Sequence, residues 1–307
     1  MTLTELRYIV TLSEEKHFGR SAEKCFVSQP TLSVAVKKLE DELGIELFER
    51  HKGRIEITEI GQRLVHQAKE ILNQVNTFKD LAHEGKNELN TPLRVGAIYT
   101  IGPYLFPHLM PKLAKSAPDM PLFIEENYTS VLRKKLKNCE LDAIIIALPF
   151  NEPGVVTLPL YDDPFAVLVP KGHHLATHHE LSSEMLLDDN VLMLGPGHCF
   201  RDQVLSACGE LLNIIGLSAT KDAPPKKLIT EGSSLETIRH MVSSGLGISV
   251  LPQSALMKGY YDDTLLDVVP FKAPIPFRTV ALAWRVTFPR PKAIDVLSHA
   301  IKHSHKR

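Results

Sequence analysis

The chain has 307 residues, of which 44% are hydrophobic and 23% charged, and its formal net charge is −1. That length points to two or three domains, and the composition is that of a globular protein, not a disordered or membrane-spanning one. No apolar run reaches the roughly 18–20 residues of a spanning helix, MTLTELRYIV lacks the layout of a signal peptide, and four cysteines are too few for a secreted disulfide scaffold, so a cytoplasmic protein with free thiols is expected.

With so little net charge, a nucleic-acid interface has to be argued from local geometry. The first ninety residues read as helical. Leu3, Leu6 and Val10 share one helical face, and FGRSAEKC gives a second, short helix ending at Cys25, a small core residue. In VSQPTLSVAVKKLEDELG the apolar positions Leu32, Val36, Leu39 and Leu43 recur at helical spacing and make one buried stripe. Ser28 is the expected N-cap, Pro30 stands where a missing N–H costs little, and Gly44 is the stop.

Stepping about 100° per residue from Leu32 places Pro30, Ser33, Val34, Lys37 and Lys38 on the outward face. Small polar residues at its start and lysines further on suit a helix lying in a major groove, with lysines meeting phosphate. IELFERHKGRIEIT follows as two short extended runs about a glycine turn, the wing of a winged helix-turn-helix, from which Arg50, Lys52 and Arg54 reach flanking DNA. From Ser28 to Arg54 the five basic residues are matched by five acidic ones. The pattern alone therefore leaves open a small helical bundle with a solvated lysine face.

Residues 59 to about 86 read as one helix of roughly 40 Å. Leu64, Ala68, Ile71, Val75, Phe78 and Ala82 alternate spacings of four and three, an a/d seam of just under three heptads. A helix packed on its own domain accounts for the pattern; so does a dimerising linker that presents two winged domains to paired half-sites.

From NELNTPLRVGAI onward, short apolar runs (LRVGAI, LFIEEN, LDAIIIAL, FAVLVP, VLMLG, GISVLP, TVALAW) alternate with helical segments at 129–138, 233–244 and 291–303. This alternation predicts a parallel, doubly wound α/β sheet in two lobes, crossing near 163 and returning near 270. Ligands in such folds bind at strand C-terminal ends and between lobes. Ser233 and Glu236 are spaced as a capping box for the helix that ends before Gly245.

Two of the four cysteines lie nine positions apart in GHCFRDQVLSAC, residues 197–208. Composition alone favours two ordinary buried thiols. A metal site from His198, Cys199, Cys208 and His240 does not have a structural zinc spacing, and adjacent His198 and Cys199 are poorly placed as a hydrolase pair. The histidines at 173, 174, 178 and 179 in GHHLATHHE form a solvated loop before they form a metal site.

FGRSAEKCFVSQPTLSVAVKKLEDELGIELFER closely resembles the winged helix-turn-helix of LysR-type transcriptional regulators, and SLETIRHMVSSGLGISVLP their late effector-domain segment. The resemblance spans essentially the whole chain. VGAIYTIGPYLFP, EENYT, GHCFRDQVLSAC and PFRTVALAW resemble the peroxide-sensing members in particular. It implies a winged helix-turn-helix domain at 1–58, a dimerising linker helix at 59–88, and a two-lobed regulatory domain at 89–307 built like a periplasmic binding protein. Lobe I would take about 89–163 and 270–307, and lobe II about 164–269.

The implied function is transcriptional regulation of oxidative-stress genes, not turnover catalysis, by a homodimer or homotetramer that engages double-stranded DNA at paired half-sites and RNA polymerase. No cofactor, metal or membrane is implied. Carried over by motif, Cys199 reacts with hydrogen peroxide and Cys208 resolves the product as a Cys199–Cys208 disulfide. Thr100, Thr129, His198, Asp202 and Arg278 surround the peroxide, and Gln29, Pro30, Thr31, Ser33 and Lys37 or Lys38 contact DNA. The other reading is a LysR-type regulator with a non-covalent effector between its lobes. The resemblance fades over 209–227, and Cys139 in KNCELD stands where the family usually has glycine.

Helix geometry adds two expectations. A thiol at a helix N-terminus, with His198 and Arg201 nearby, is favoured as thiolate. Nine helical residues span about 13 Å, whereas a disulfide needs Cα atoms roughly 4.4–6.8 Å apart, so Cys199 and Cys208 cannot bond while the segment is helical.

Overall fold

The computed structural model describes residues 1–51, 54–84, 88–209, 231–257 and 264–305. The chain divides into two compact units, Met1–Gly85 and Lys86–Arg307.

The first unit carries α1 (Leu3–Glu15), α2 (Phe18–Lys24), α3 (Gln29–Leu43), β1 (Phe48–His51), β2 (Arg54–Ile57) and α4 (Glu59–Glu84). Thr2 and Glu5 form a capping box on α1. Ser28 caps α3 through the Thr31 N–H, Pro30 lies in its first turn, and Gly44 ends it at φ 70°, a left-handed conformation that glycine adopts without a Cβ clash. Leu32, Val36 and Leu39 are buried against Leu6, Ile9, Leu12, Leu47 and Phe48, whereas Leu43, the last residue of the predicted stripe, is 40% exposed at the end of α3. Buried Glu40 accepts from the N–H groups of Leu47 (2.9 Å) and Phe48 (3.2 Å), which pins the wing to α3. β1 and β2 pair antiparallel, with Phe48 opposite Ile57.

On α4, Val65 and Ala68 are buried in this core while Leu64, Ile71 and Leu72 pack against it. Further along, Phe78 is 74% exposed. The first half of the predicted seam therefore serves its own domain. Gln67, Glu70, Ile71, Gln74, Val75 and Phe78 line an open surface groove beside it.

In the second unit the sheet is mixed, not parallel as predicted. Its strands β3 (Leu93–Ile98), β4 (Leu122–Asn127), β5 (Ala143–Ala147), β6 (Val155–Pro170), β9 (Ser249–Pro252), β10 (Leu266–Pro270) and β11 (Phe277–Arg285) run in the order β10-β6-β11-β5-β3-β4, with β9 also paired to β6. Only β3 is parallel to its neighbours β4 and β5; β11 and β6 and their partners are antiparallel. Near-continuous apolar runs mark strands buried on both faces, and burial does not encode strand direction. The short strands β7 (Met193–Leu194) and β8 (Glu231–Gly232) form a separate parallel pair.

Two hydrophobic clusters define two lobes. One gathers β3, β5, most of β11, α5 (Gly102–Ser116), α6 (Thr129–Lys137) and α9 (Pro291–His305). The other gathers the second half of β6, β7, β9, β10, α7 (Cys199–Ala207) and α8 (Leu235–Ser243). β6 crosses between them: Tyr161 packs on the first cluster, and Phe165–Val169 are core residues of the second.

The α8 cap departs from expectation, because Ser234 and not Ser233 accepts from the Thr237 N–H. Glu236 instead accepts from the Tyr104 hydroxyl at 3.0 Å and pairs with Arg239. Cys139 is buried at φ 57°, a backbone position that explains why glycine suits it. The segment 209–227, except residue 209, lies outside the described residues, as does Lys52.

Candidate functional site

β3 and β4 are parallel neighbours in a register that sets Ile98 beside Asn127. Their C-terminal ends therefore deliver Tyr99 and Thr100, and Tyr128 and Thr129, to one place, as expected for a ligand site in an α/β fold. Across from them the 195–198 turn feeds α7. Gly197 takes φ 96°, which a side chain would strain, and so brings His198 and Cys199 onto the same spot. Ile98, Tyr99, Thr100, Asn127, Tyr128, Thr129, Gly197, His198 and Cys199 enclose a pocket of about 190 Å³, mouth included. The space open to the centre of a water-sized molecule is only about 10 Å³, about the least that admits one water, so the pocket fits a molecule of very few atoms.

Cys199 opens α7, with His198 at the N-cap position. Burial pushes its thiol above the ordinary range; the Thr129 hydroxyl, the Arg278 guanidinium and its own backbone N–H pull it down, and Asp202 pushes it up. Burial is the largest of these influences and leaves the thiol raised, opposite to the expected preference for thiolate. Thr129 Oγ1 is buried and has no other hydrogen-bond partner. It lies against the thiol, although the contact falls short of a well-formed hydrogen bond.

His198 does not supply the positive charge expected of it. Its ring is buried and packs edge-on against Tyr128 at 4.8 Å between centroids, with Tyr99 at 6.3 Å. Burial holds the imidazole below its usual range, partly opposed by a hydrogen bond to the Ser233 backbone, so it is neutral at pH 7. Arg201 is engaged with the Leu194 carbonyl at 3.0 Å and with Glu231. Arg278 provides the nearby cation. Its fully buried guanidinium donates to Thr100 Oγ1 and the Thr100 carbonyl, both at 2.8 Å, and lies 5.2 Å from the centre of the Phe200 ring.

Asp202 is exposed, one turn along α7 from Cys199, and touches the site through its charge. Cys208 caps the other end of α7 and is fully buried in the second cluster, whereas Cys199 packs on the first. Neither is in a disulfide. Sequence reasoning missed Asp163 and Ser254, which hold Arg278 from behind. The signal for Asp163 was a carboxylate in YDDPF just where an exposed strand turns into a buried one.

The loop histidines divide. His173 Nε2 and His174 Nε2 lie 3.2 and 3.4 Å from the two oxygens of Asp189, while His178 and His179 are exposed. His173 Nδ1 accepts from the Leu175 N–H at 3.3 Å, which leaves the ring proton on Nε2, aimed at Asp189. In that tautomer the His173 nitrogen a metal would need is already protonated, while Asp189 Oδ2 is buried without a hydrogen-bond partner.

In the first unit, Gln29, Pro30, Thr31, Val34, Lys37 and Lys38 are exposed on α3 and Ser33 is half-buried. Lys37 pairs with Asp41 at 3.2 Å and Lys38 with Glu5 at 3.4 Å, so each lysine exchanges a carboxylate for any phosphate it meets. Arg50 and Arg54 have their backbones in the wing, and their side chains lie outside the described residues. No helix among the described residues is long and apolar enough to cross a membrane.

A winged helix-turn-helix joined to a two-lobed α/β domain with a ligand-sized pocket defines a bacterial regulatory protein. Residues 3–62 match the bacterial regulatory helix-turn-helix protein model of the lysR family and residues 86–305 the LysR substrate binding domain; the chain belongs to the LysR family. It is 35% identical over 302 residues to the DNA-binding transcriptional dual regulator OxyR of Escherichia coli K12, covering 98% of this chain and 95% of that one. Among solved structures it is similar to full-length OxyR C199D from Pseudomonas aeruginosa (57% identity, 98% and 95% coverage, TM-score 0.75). It is also similar to an H2O2-bound OxyR mutant from Corynebacterium glutamicum (31% identity, 99% and 92% coverage, TM-score 0.65).

Proposed function

We propose that this protein is a peroxide-responsive transcriptional regulator that uses Cys199 as its sensing thiol. The observation that carries the reading is one cysteine in a pocket with room for a molecule of about water's size, lined otherwise by hydroxyl residues, Asn127 and a neutral imidazole, with no charged side chain in the lining. Hydrogen peroxide is small, uncharged and both donor and acceptor, which such a lining suits better than a charged clamp would.

Thr100 and Thr129 hold the peroxide while the Arg278 field favours the thiolate as it forms. Sulfur attacks one peroxide oxygen, the O–O bond breaks, and the departing oxygen takes up the thiol proton and leaves as water, so that Cys199 becomes a sulfenic acid. The Cys208 thiol then attacks that sulfur; a second water leaves and a disulfide remains. One peroxide is reduced for each dithiol oxidised, so sensing is stoichiometric and not a turnover reaction.

The first unit delivers the output. Residues 1–58 present α3 to DNA through Gln29, Pro30, Thr31, Ser33, Lys37 and Lys38, with Arg50 and Arg54 on the wing. The linker at 59–88 joins two copies so that paired half-sites are read together, within a dimer or tetramer that addresses RNA polymerase at oxidative-stress promoters.

The test is to expose reduced protein to near-stoichiometric peroxide, map disulfides by mass spectrometry, and footprint promoter DNA with wild type and Cys199→Ser. A Cys199–Cys208 disulfide and a footprint change confined to wild type are expected; retention of both thiols, or the same footprint change in the variant, overturns the reading.

A further inference from the structure

Among the described residues Arg278 is the one cation whose charge acts on the Cys199 thiol, and its position is set by a carboxylate that is not part of the pocket. Asp163 lies on β6 directly across from Arg278 on β11, and both side chains are fully buried. Its Oδ2 accepts from Arg278 Nε (3.1 Å) and Nη2 (2.9 Å) and from the Ser254 hydroxyl (2.8 Å), while its Oδ1 accepts the Ser254 N–H at 3.0 Å. A buried ion pair is retained at little cost only when its lone pairs are met in this way. Ser254 belongs to the one-turn helix Gln253–Leu256 that follows β9 on the second lobe, and Thr100 follows β3 on the first. The chain Ser254, Asp163, Arg278, Thr100 therefore runs from one lobe to the other and ends at the pocket.

The far end of the chain dictates the direction of a proton. A guanidinium has donors and no acceptor, so Thr100 Oγ1, which accepts from Arg278 Nη1, has to send its own hydrogen elsewhere, and the residue lines the pocket beside Cys199. We propose that Asp163, supported by Ser254, is a positioning residue for the peroxide reaction: it aims Arg278 so that Thr100 donates into the pocket, and it limits how far the Arg278 charge ionises the thiol. The inference rests on the peroxide reading above. Among the described residues, the charged or titratable groups facing the thiol are Arg278, Asp202, His198, Tyr99 and Tyr128, and those facing Asp163 are Arg278 and Tyr161.

The experiment measures, on the full-length chain, the pH profile of Cys199 alkylation by iodoacetamide, read from its peptide by mass spectrometry, together with the rate of Cys199 oxidation by peroxide. Asp163→Asn keeps the shape but removes the negative charge beside Arg278. Its alkylation midpoint should fall by on the order of one pH unit, while its peroxide rate, compared at equal thiolate fraction, drops by on the order of tenfold or more. Ser254→Ala should move both in the same direction by less. An unchanged midpoint and rate in Asp163→Asn, whatever its melting temperature, overturns the proposal; if that variant does not fold, wild-type values in Ser254→Ala overturn it. Should wild-type Cys199 fail to react with peroxide, the functional reading falls, and the alkylation midpoint still reports separately on whether Asp163 governs the thiol.

Discussion

Cys199 and Cys208 stand at the two ends of α7 and pack into two different hydrophobic clusters, one on each lobe. Nine residues of helix set them about 13 Å apart along the axis, beyond the reach of a disulfide. Two further ties hold the helix in place: Gln203 donates to the Leu148 carbonyl at 3.1 Å and Arg201 to the Leu194 carbonyl at 3.0 Å. A Cys199–Cys208 bond and this helix exclude each other, so oxidation is a change of local fold.

Peroxide should therefore lower the helical far-UV signal by about the share of α7, nine residues, and dithiothreitol should restore it. Cys208→Ser should stop at a sulfenic acid that dimedone traps, with the helix intact. Full helical signal in a protein whose disulfide is proven by mass spectrometry would contradict this account.

Because burial holds the Cys199 thiol above its ordinary range, the oxidation rate should climb with pH through and beyond the ordinary thiol value of about 8.5, and not level off below neutrality. Stopped-flow oxidation between pH 6 and 10 reads this directly. Thr129→Val removes a group that lowers the thiol pKa and should carry the climb to still higher pH.

His198 gives a stability prediction of the opposite sense. Its folded pKa lies below the unfolded value, so its contribution to stability is complete above about pH 6.5 and is lost as pH falls from there through the lowered folded value. Melting temperatures of wild type should drop between pH 7 and 5 more than those of His198→Asn. Parallel curves would show that the ring is not held neutral by the fold.

On α3, Lys37→Ala and Lys38→Ala should each weaken operator binding and lower the slope of log K against log salt by about one. Gln29→Ala, at the helix entry, should relax sequence preference by about 1–3 kcal/mol at one base pair and leave the salt slope alone. Electrophoretic titrations at several salt concentrations separate the two behaviours.

For α4, Phe78 is 74% exposed beside Val75 and Ile71. Phe78→Asp should shift sedimentation toward smaller species without lowering the melting temperature of the first unit, since Phe78 is absent from its core. An unchanged oligomer would leave this helix as a packing element of its own domain.

What the sequence determined by itself was local. The Leu32, Val36 and Leu39 stripe, the Ser28 cap and the Gly44 stop follow from helical period, one side-chain oxygen and one left-handed residue, all within a few positions of each other. The motif resemblance likewise pointed to Thr100, Thr129, His198, Cys199, Asp202 and Arg278; the structure sets the first four in one pocket lining, with Arg278 bonded to Thr100 and Asp202 exposed outside it. Tertiary structure decided whatever depends on partners distant in the chain. Strand direction was unreadable because buried strands look alike whichever way they run. The sign of the Cys199 shift was set by burial, which no helix position reveals. Arg278 bonds to Thr100 across 178 residues and to Asp163 across 115, and sequence carries no local trace of such a pairing, because its energy exists only once the sheet has aligned β6 with β11.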